Sequence, residues 1–250
     1  MRKKLLIGNW KMNKTRAEAE AFARESKELT KLAKEKNVDI GVTAPFLAIE
    51  VVAKENKDLI LGAQNCHYLD SGAYTGEVSV PMLLDLPISM CLVGHSERRT
   101  YYNETNESCN KKIKRLFEAK LGALYCVGET LEQFEKGISK IVVEEQVIEG
   151  LKDIEEKDLD KLVIAYEPVW SIGTGKNASK EIAEDVCAYI RSIIAKLYSK
   201  ESADKLRILY GGSVKPHNIH EYLTMENIDG ALVGGASLSV ESYKQLIENM

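Results

Sequence analysis

No stretch of this chain approaches the roughly 20 consecutive apolar residues of a membrane-spanning helix, so membrane association is not expected. The start, Met1-Arg2-Lys3-Lys4-Leu5-Leu6-Ile7-Gly8, has the basic-then-apolar opening of a secretory leader. Trp10, Lys11 and Asn13 cut that apolar run too short for one. An excess of charge of one sign is also missing. The formal net charge is −4 over 250 residues, which supplies no general attraction for nucleic acid or an anionic membrane. An anionic small molecule must therefore be held by a local site. Cysteine shows neither pairing nor metal spacing. Cys66, Cys91, Cys109, Cys126 and Cys187 are odd in number and scattered, and several lie in apolar runs. That pattern fits reduced, mostly buried thiols in a cytoplasmic protein rather than a disulfide framework or a zinc site. No Pro/Ser-rich linker or low-complexity tract divides the chain, so residues 1–250 are expected to form one domain.

What is present is an alternation. Short β-type runs at 5–8, 39–43, 59–63, 90–93, 123–127, 162–166, 207–210 and 230–233 are nearly continuous in apolar residues, as buried parallel strands are. Amphipathic segments follow most of them. Thr15 with Glu18 makes a capping box ahead of a helical face carrying Phe22, Leu29 and Leu32, and Ser179 is placed to cap another helix. Eight βα units without interruption predict a (β/α)8 barrel in the α/β class.

In such a barrel the chemistry belongs to the loops after the strands, and the polar clusters fall there. Asn9 and Lys11 follow the first strand, Gln64 and Asn65 the third, and His95, Ser96 and Glu97 the fourth. Glu129 follows the fifth, Glu167 ends the sixth, and Gly211-Gly212-Ser213 and Gly234-Gly235 follow the last two. Glu167 at the mouth of an apolar strand is a candidate general base whose proton affinity desolvation would raise. A plain ion pair is the alternative. His95 stands where a helical turn could start, so free N–H groups would favour a neutral imidazole that donates to a carbonyl oxygen. His95-Ser96-Glu97 also matches half of a zinc deaminase pattern, but no P-C-x-x-C follows. Lys11 is a candidate fixed charge for a developing oxyanion. The glycine pairs leave backbone N–H groups bare for a phosphate, against the simpler reading of tight turns. Gly173-Thr174-Gly175-Lys176-Asn177-Ala178 matches G-x-G-x-x-A, yet it does not adjoin its strand and fails the Walker pattern. It fits a movable cover better.

Together these segments resemble the triosephosphate isomerase family from Gly8 to Leu238. The resemblance is carried by Gly8-Asn9-Trp10-Lys11-Met12-Asn13, Gly72-Ala73-Tyr74-Thr75-Gly76-Glu77, Gly94-His95-Ser96-Glu97-Arg98-Arg99, Ala165-Tyr166-Glu167-Pro168-Val169-Trp170, Tyr210-Gly211-Gly212-Ser213 and Leu232-Val233-Gly234-Gly235-Ala236-Ser237-Leu238. It implies an enzyme of glycolysis and gluconeogenesis that interconverts dihydroxyacetone phosphate and glyceraldehyde 3-phosphate through an enediolate, with no metal or cofactor. It also implies residue roles. Glu167 would be the base, neutral His95 would polarise the carbonyl, Lys11 would supply charge, Asn9 would orient substrate, and Glu97 would support them. Gly173, Ser213, Gly234 and Gly235 would bind phosphate through their backbone. Pro168-Val169-Trp170-Ser171-Ile172-Gly173-Thr174-Gly175-Lys176-Asn177-Ala178 would be the lid, and Thr75 would reach into the second subunit of a homodimer.

Four positions depart from the family pattern. Ser171 stands where alanine is usual and Phe134 where arginine is frequent. Asn177 alters the end of the lid, and Asn227 replaces an aspartate, which puts an ion pair with Arg191 in question. The other readings are a different phosphate-binding barrel isomerase and a non-catalytic barrel that only binds.

Overall fold

The computed structural model describes residues 2–172 and 177–250. Eight parallel strands close into a barrel in chain order. They are β1 Leu5–Asn9, β2 Asp39–Ala44, β3 Ile60–Ala63, β4 Met90–Val93, β5 Gly122–Val127, β6 Leu162–Tyr166, β7 Arg207–Tyr210 and β8 Gly230–Val233. β1 pairs with both β2 and β8, which closes the ring. Each strand is bounded within one residue of its sequence expectation.

Alternation along the strands divides the apolar residues into two bodies. Leu6, Ile40, Val42, Leu61, Ala63, Val93 and Ile164 join the larger core under the helices. Leu5, Ile7, Met90, Leu92, Leu124, Cys126, Val163, Ala165, Leu209 and Leu232 form a separate cluster, the packed barrel interior. Two residues further along, that inward series reaches Asn9, Gly94, Gly128, Glu167, Gly211 and Gly234. Four of these six positions are glycine, so the interior opens into a cavity above its last apolar layer. Two polar side chains, Asn9 and Glu167, share that level.

The predicted caps form. Thr15 and Glu18 make a capping box and Ser179 caps Lys180–Leu197. The single helix expected to carry Phe22, Leu29 and Leu32 is instead two helices, Arg16–Glu25 and Lys27–Glu35. The break lies at Ser26, whose buried hydroxyl donates to the Ala23 carbonyl and so competes with the helix backbone. All five cysteines are free and buried. Among the described residues no helix is long and apolar enough to cross a membrane.

Candidate active site

A cavity of about 630 Å³ occupies the strand C-terminal end of the barrel. Asn9, Lys11, His95, Glu167, Ser213, Gly234 and Gly235 all line it. The sequence-derived residues therefore meet in one place, apart from Glu97, which stands just outside, and Gly173, which lies outside the described residues. Thr174, Gly175 and Lys176 of the expected lid lie outside them as well.

Lys11 is brought in by an unusual backbone. Its φ is +52°, a left-handed conformation that a lysine does not adopt without support. Its N–H donates to the Asn9 side chain at 3.0 Å, and its carbonyl accepts from Gln64 Nε2 at 3.0 Å. Gln64 also reaches the Thr43 carbonyl, so β2 and β3 hold the turn after β1. The Lys11 ammonium then pairs with Glu97 Oε1 at 2.6 Å.

Glu167 extends the inward series of β6 and is buried. Glycine makes room for it twice. A Cβ on Gly128 would lie 1.8 Å from the Glu167 carbonyl oxygen, and one on Gly211 would lie 2.9 Å from Glu167 Cγ. Both carboxylate oxygens are engaged. Oε2 accepts the Ser96 N–H at 2.9 Å and Oε1 meets His95 Nε2 at 3.0 Å. Burial alone would raise its carboxyl, but His95 and the Ser96 N–H more than offset this and hold it below its ordinary value. This corrects the expectation from desolvation alone, which foresaw a raised proton affinity.

His95 caps the helix Ser96–Tyr102, and its Nδ1 accepts the Glu97 N–H at 3.2 Å. A backbone N–H can only donate, so Nδ1 carries a lone pair and Nε2 carries the proton, as in a neutral ring. Burial would also push the imidazole down, yet the Glu167 carboxylate outweighs it and raises the ring above its ordinary value. The Nδ1 contact is that of a neutral ring, but the raised proton affinity runs against the expectation that the helix N–H groups would disfavour imidazolium. The cause is the resting contact with Glu167.

The two glycine pairs differ in what they leave open. A Cβ on Gly212 would collide with the Tyr210 hydroxyl at 2.2 Å, so packing requires that glycine. A Cβ on Gly235 would meet no described atom within 4 Å, and one on Gly234 would meet only Lys11 Cε at 3.5 Å. Packing against the described residues therefore does not demand glycine at 234 or 235. Bare backbone beside a lysine suits an anion. Among the described residues no group of three or more His, Cys, Asp or Glu side chains could hold a metal ion.

Two carboxylates were not assigned roles from sequence. Glu129 is fully buried after β5 and accepts from Trp170 Nε1 at 2.7 Å and from the Tyr166 hydroxyl at 3.1 Å. It thereby holds the turn that follows Glu167. A carboxylate directly after an apolar strand was the available signal, and its partners were not. Glu104 sits behind the His95 loop. It accepts the Gly94 N–H at 3.1 Å and pairs with Lys112 at 3.1 Å and Arg98 at 2.7 Å.

Burial would raise the Glu104 carboxyl, but Lys112 and Arg98 leave it below its ordinary value of 4.5. A depressed carboxylate contributes stability above its unfolded-state value, and that contribution is lost as pH falls through the folded value. Glu104→Gln should therefore lower Tm near neutral pH, and the gap from wild type should shrink as pH falls below about 4.5. A gap that stays constant across an acid thermal-melt series would contradict this.

Against this geometry stand the chain's similarities. The family model described as triosephosphate isomerase matches residues 4–250. The protein of that name from Carboxydothermus hydrogenoformans is 50% identical over 250 residues, covering 99% of each chain. Its namesake from Dictyoglomus turgidum is 49% identical over the full length of both. One from Clostridium botulinum is 47% identical over 99% of each.

Proposed function

The chain belongs to the triosephosphate isomerase family and interconverts dihydroxyacetone phosphate and D-glyceraldehyde 3-phosphate, and we propose that Glu167, His95, Lys11 and Asn9 carry the reaction within 1–250 acting as one catalytic domain. The observation that carries this assignment is the convergence of those four side chains with the bare backbone of Gly234 and Gly235 on one cavity. The phosphate rests on the backbone N–H groups of Ser213, Gly234 and Gly235, with Gly173 added by the family pattern. Glu167 leaves Ser96 and His95 and takes a proton from C1 of the ketose. The electron pair moves onto the C2 oxygen, where the Lys11 ammonium and the His95 Nε2–H stabilise the enediolate. His95 relays protons between the two oxygens, and Glu167 returns its proton to C2 to give the aldose. The neutral imidazole and a lid that excludes water are established features of this family. For this chain the lid spans 168–178. Glu97 keeps Lys11 oriented through the 2.6 Å pair. The reaction needs no metal or cofactor. In a coupled assay, turnover of both trioses should persist with chelator present. Loss of activity on chelation would overturn that part.

The working form is a cytoplasmic homodimer that serves glycolysis and gluconeogenesis and binds no nucleic acid. Supporting this, the segments that follow the first four strands carry exposed apolar residues, Met12 and Tyr74 on loops and Leu47, Met82, Tyr101 and Tyr102 on helices. Met12 is 96% exposed and adjoins Lys11. The loop after β3 is held at its neck by the His67–Val78 backbone bond, and Thr75 stands exposed at its tip. Its insertion into a second copy would cover this surface and steady the strained turn at Lys11. Thr75→Arg would bury an unpaired charge there and should raise the dimer dissociation constant by about 10²–10³-fold. Sedimentation showing wild type fully active as a monomer would sink the assembly.

A further inference from the structure

Two of the residues that depart from the family pattern converge on the turn Val169–Ser171, immediately after the base. Phe134 lies on the helix Leu131–Glu135, which is fixed by a capping box between Thr130 and Gln133. Its ring stacks on Trp170, with centroids 4.3 Å apart and planes 29° apart. Glu129 also holds this indole, accepting from Trp170 Nε1 at 2.7 Å, and takes the Val169 N–H on its carbonyl at 3.0 Å. Ser171 is fully buried, with its hydroxyl 2.8 Å from where a Cβ on Gly212 would stand. The turn is therefore gripped at Val169 and Trp170, and Ser171 is packed against Gly212. Only Pro168 separates it from Glu167, and proline's fixed φ, here −64°, makes that link stiff.

Glu167 rests with both oxygens occupied by Ser96 and His95, so it must move before it can act. We propose that Phe134 is a positioning residue for proton transfer: its stack on Trp170 holds the turn after Glu167, and hence the base, in the resting arrangement. This rests on Glu167 being the base. An aromatic pair adds stability to whichever state contains it. A ligand that demands the other state must overcome that preference, and removing the preference tightens the ligand's binding by the same factor.

The test uses full-length protein and 2-phosphoglycolate, whose planar carboxylate resembles the enediolate. Phe134→Leu keeps an apolar side chain and removes the ring. It should bind 2-phosphoglycolate about two- to tenfold more tightly, and KM should fall while kcat does not rise. The chain has two tryptophans, so its indole N–H spectrum contains two lines. In empty Phe134→Leu the Trp170 line should shift toward its ligand-bound position. Phe134→Tyr keeps the stack and should behave as wild type. A structural role alone would change thermal stability and, through loss of the ring current, move the indole line, but would leave 2-phosphoglycolate binding unchanged. Unchanged or weaker 2-phosphoglycolate binding in folded Phe134→Leu, with Glu167→Gln inactive, would overturn the role of Phe134 alone. So would Phe134→Tyr behaving like Phe134→Leu. Near-normal turnover in Glu167→Gln would instead remove the base on which the proposal stands.

Discussion

Glu167→Gln should lower kcat by at least about 10²–10⁴, the contribution of a positioned general base, with a smaller change in KM. The substitution isolates proton transfer from packing. Glutamine has nearly the same shape, so it fits the space that Gly211 leaves at Glu167 Cγ. Its amide oxygen can still accept the Ser96 N–H that the carboxylate accepts now. What it loses is a basic oxygen able to take a carbon-bound proton near neutral pH. A fall confined to kcat would identify an interaction made in the transition state. The environment of the carboxylate strengthens the expectation. In the empty site, His95 and Ser96 hold it ionised. Turning away from them toward substrate would remove both of these partners, and its proton affinity should then rise. Near-normal turnover by folded Glu167→Gln would refute the assignment.

The barrel was legible because its strands are buried on both faces. That condition writes short apolar runs into the sequence with few exceptions, and it bounded β4, β6, β7 and β8 without error. The position of the site was legible for a related reason. The inward alternation of β4, β5, β7 and β8 each ends in glycine, and those of β1 and β6 end in Asn9 and Glu167. Properties set by partners distant in sequence were not legible. The reversed proton affinity of Glu167 depends on His95 and the Ser96 N–H, far earlier in the chain, whereas its own strand shows only an apolar setting. The left-handed backbone at Lys11 depends on Gln64. The doubt over Arg191 resolves in the same way. Asn227 accepts from its Nε at 2.8 Å, while Asp229 supplies the ion pair at 2.8 Å. The aspartate two residues on takes the charge, and the amide keeps a hydrogen bond.

Lys11→Ala should reduce kcat by about 10²–10³, as expected when a preorganised oxyanion stabiliser is removed, and it should also raise KM. Both parameters should move if Lys11 serves both proposed roles: it lines the same cavity as His95 and Glu167, and its Cε lies 3.5 Å from where a Cβ on Gly234 would stand, in the loop proposed to hold phosphate. This distinguishes it from Glu167, whose loss should fall mainly on kcat. The left-handed backbone adds a second expectation. A φ of +52° is held by Asn9 and Gln64, so strain at this turn is relieved by neither lysine nor alanine. The activity loss should therefore come without a matching gain in thermal stability. Lys11→Arg should not restore wild-type turnover. A guanidinium is a broad planar fork where the site holds a compact charge against Glu97 at 2.6 Å. Small primary ammonium ions added to Lys11→Ala should recover part of kcat, because the missing element is a positive charge with N–H donors. Full activity of Lys11→Arg, or a Lys11→Ala defect confined to KM, would move Lys11 from oxyanion stabilisation to phosphate binding alone.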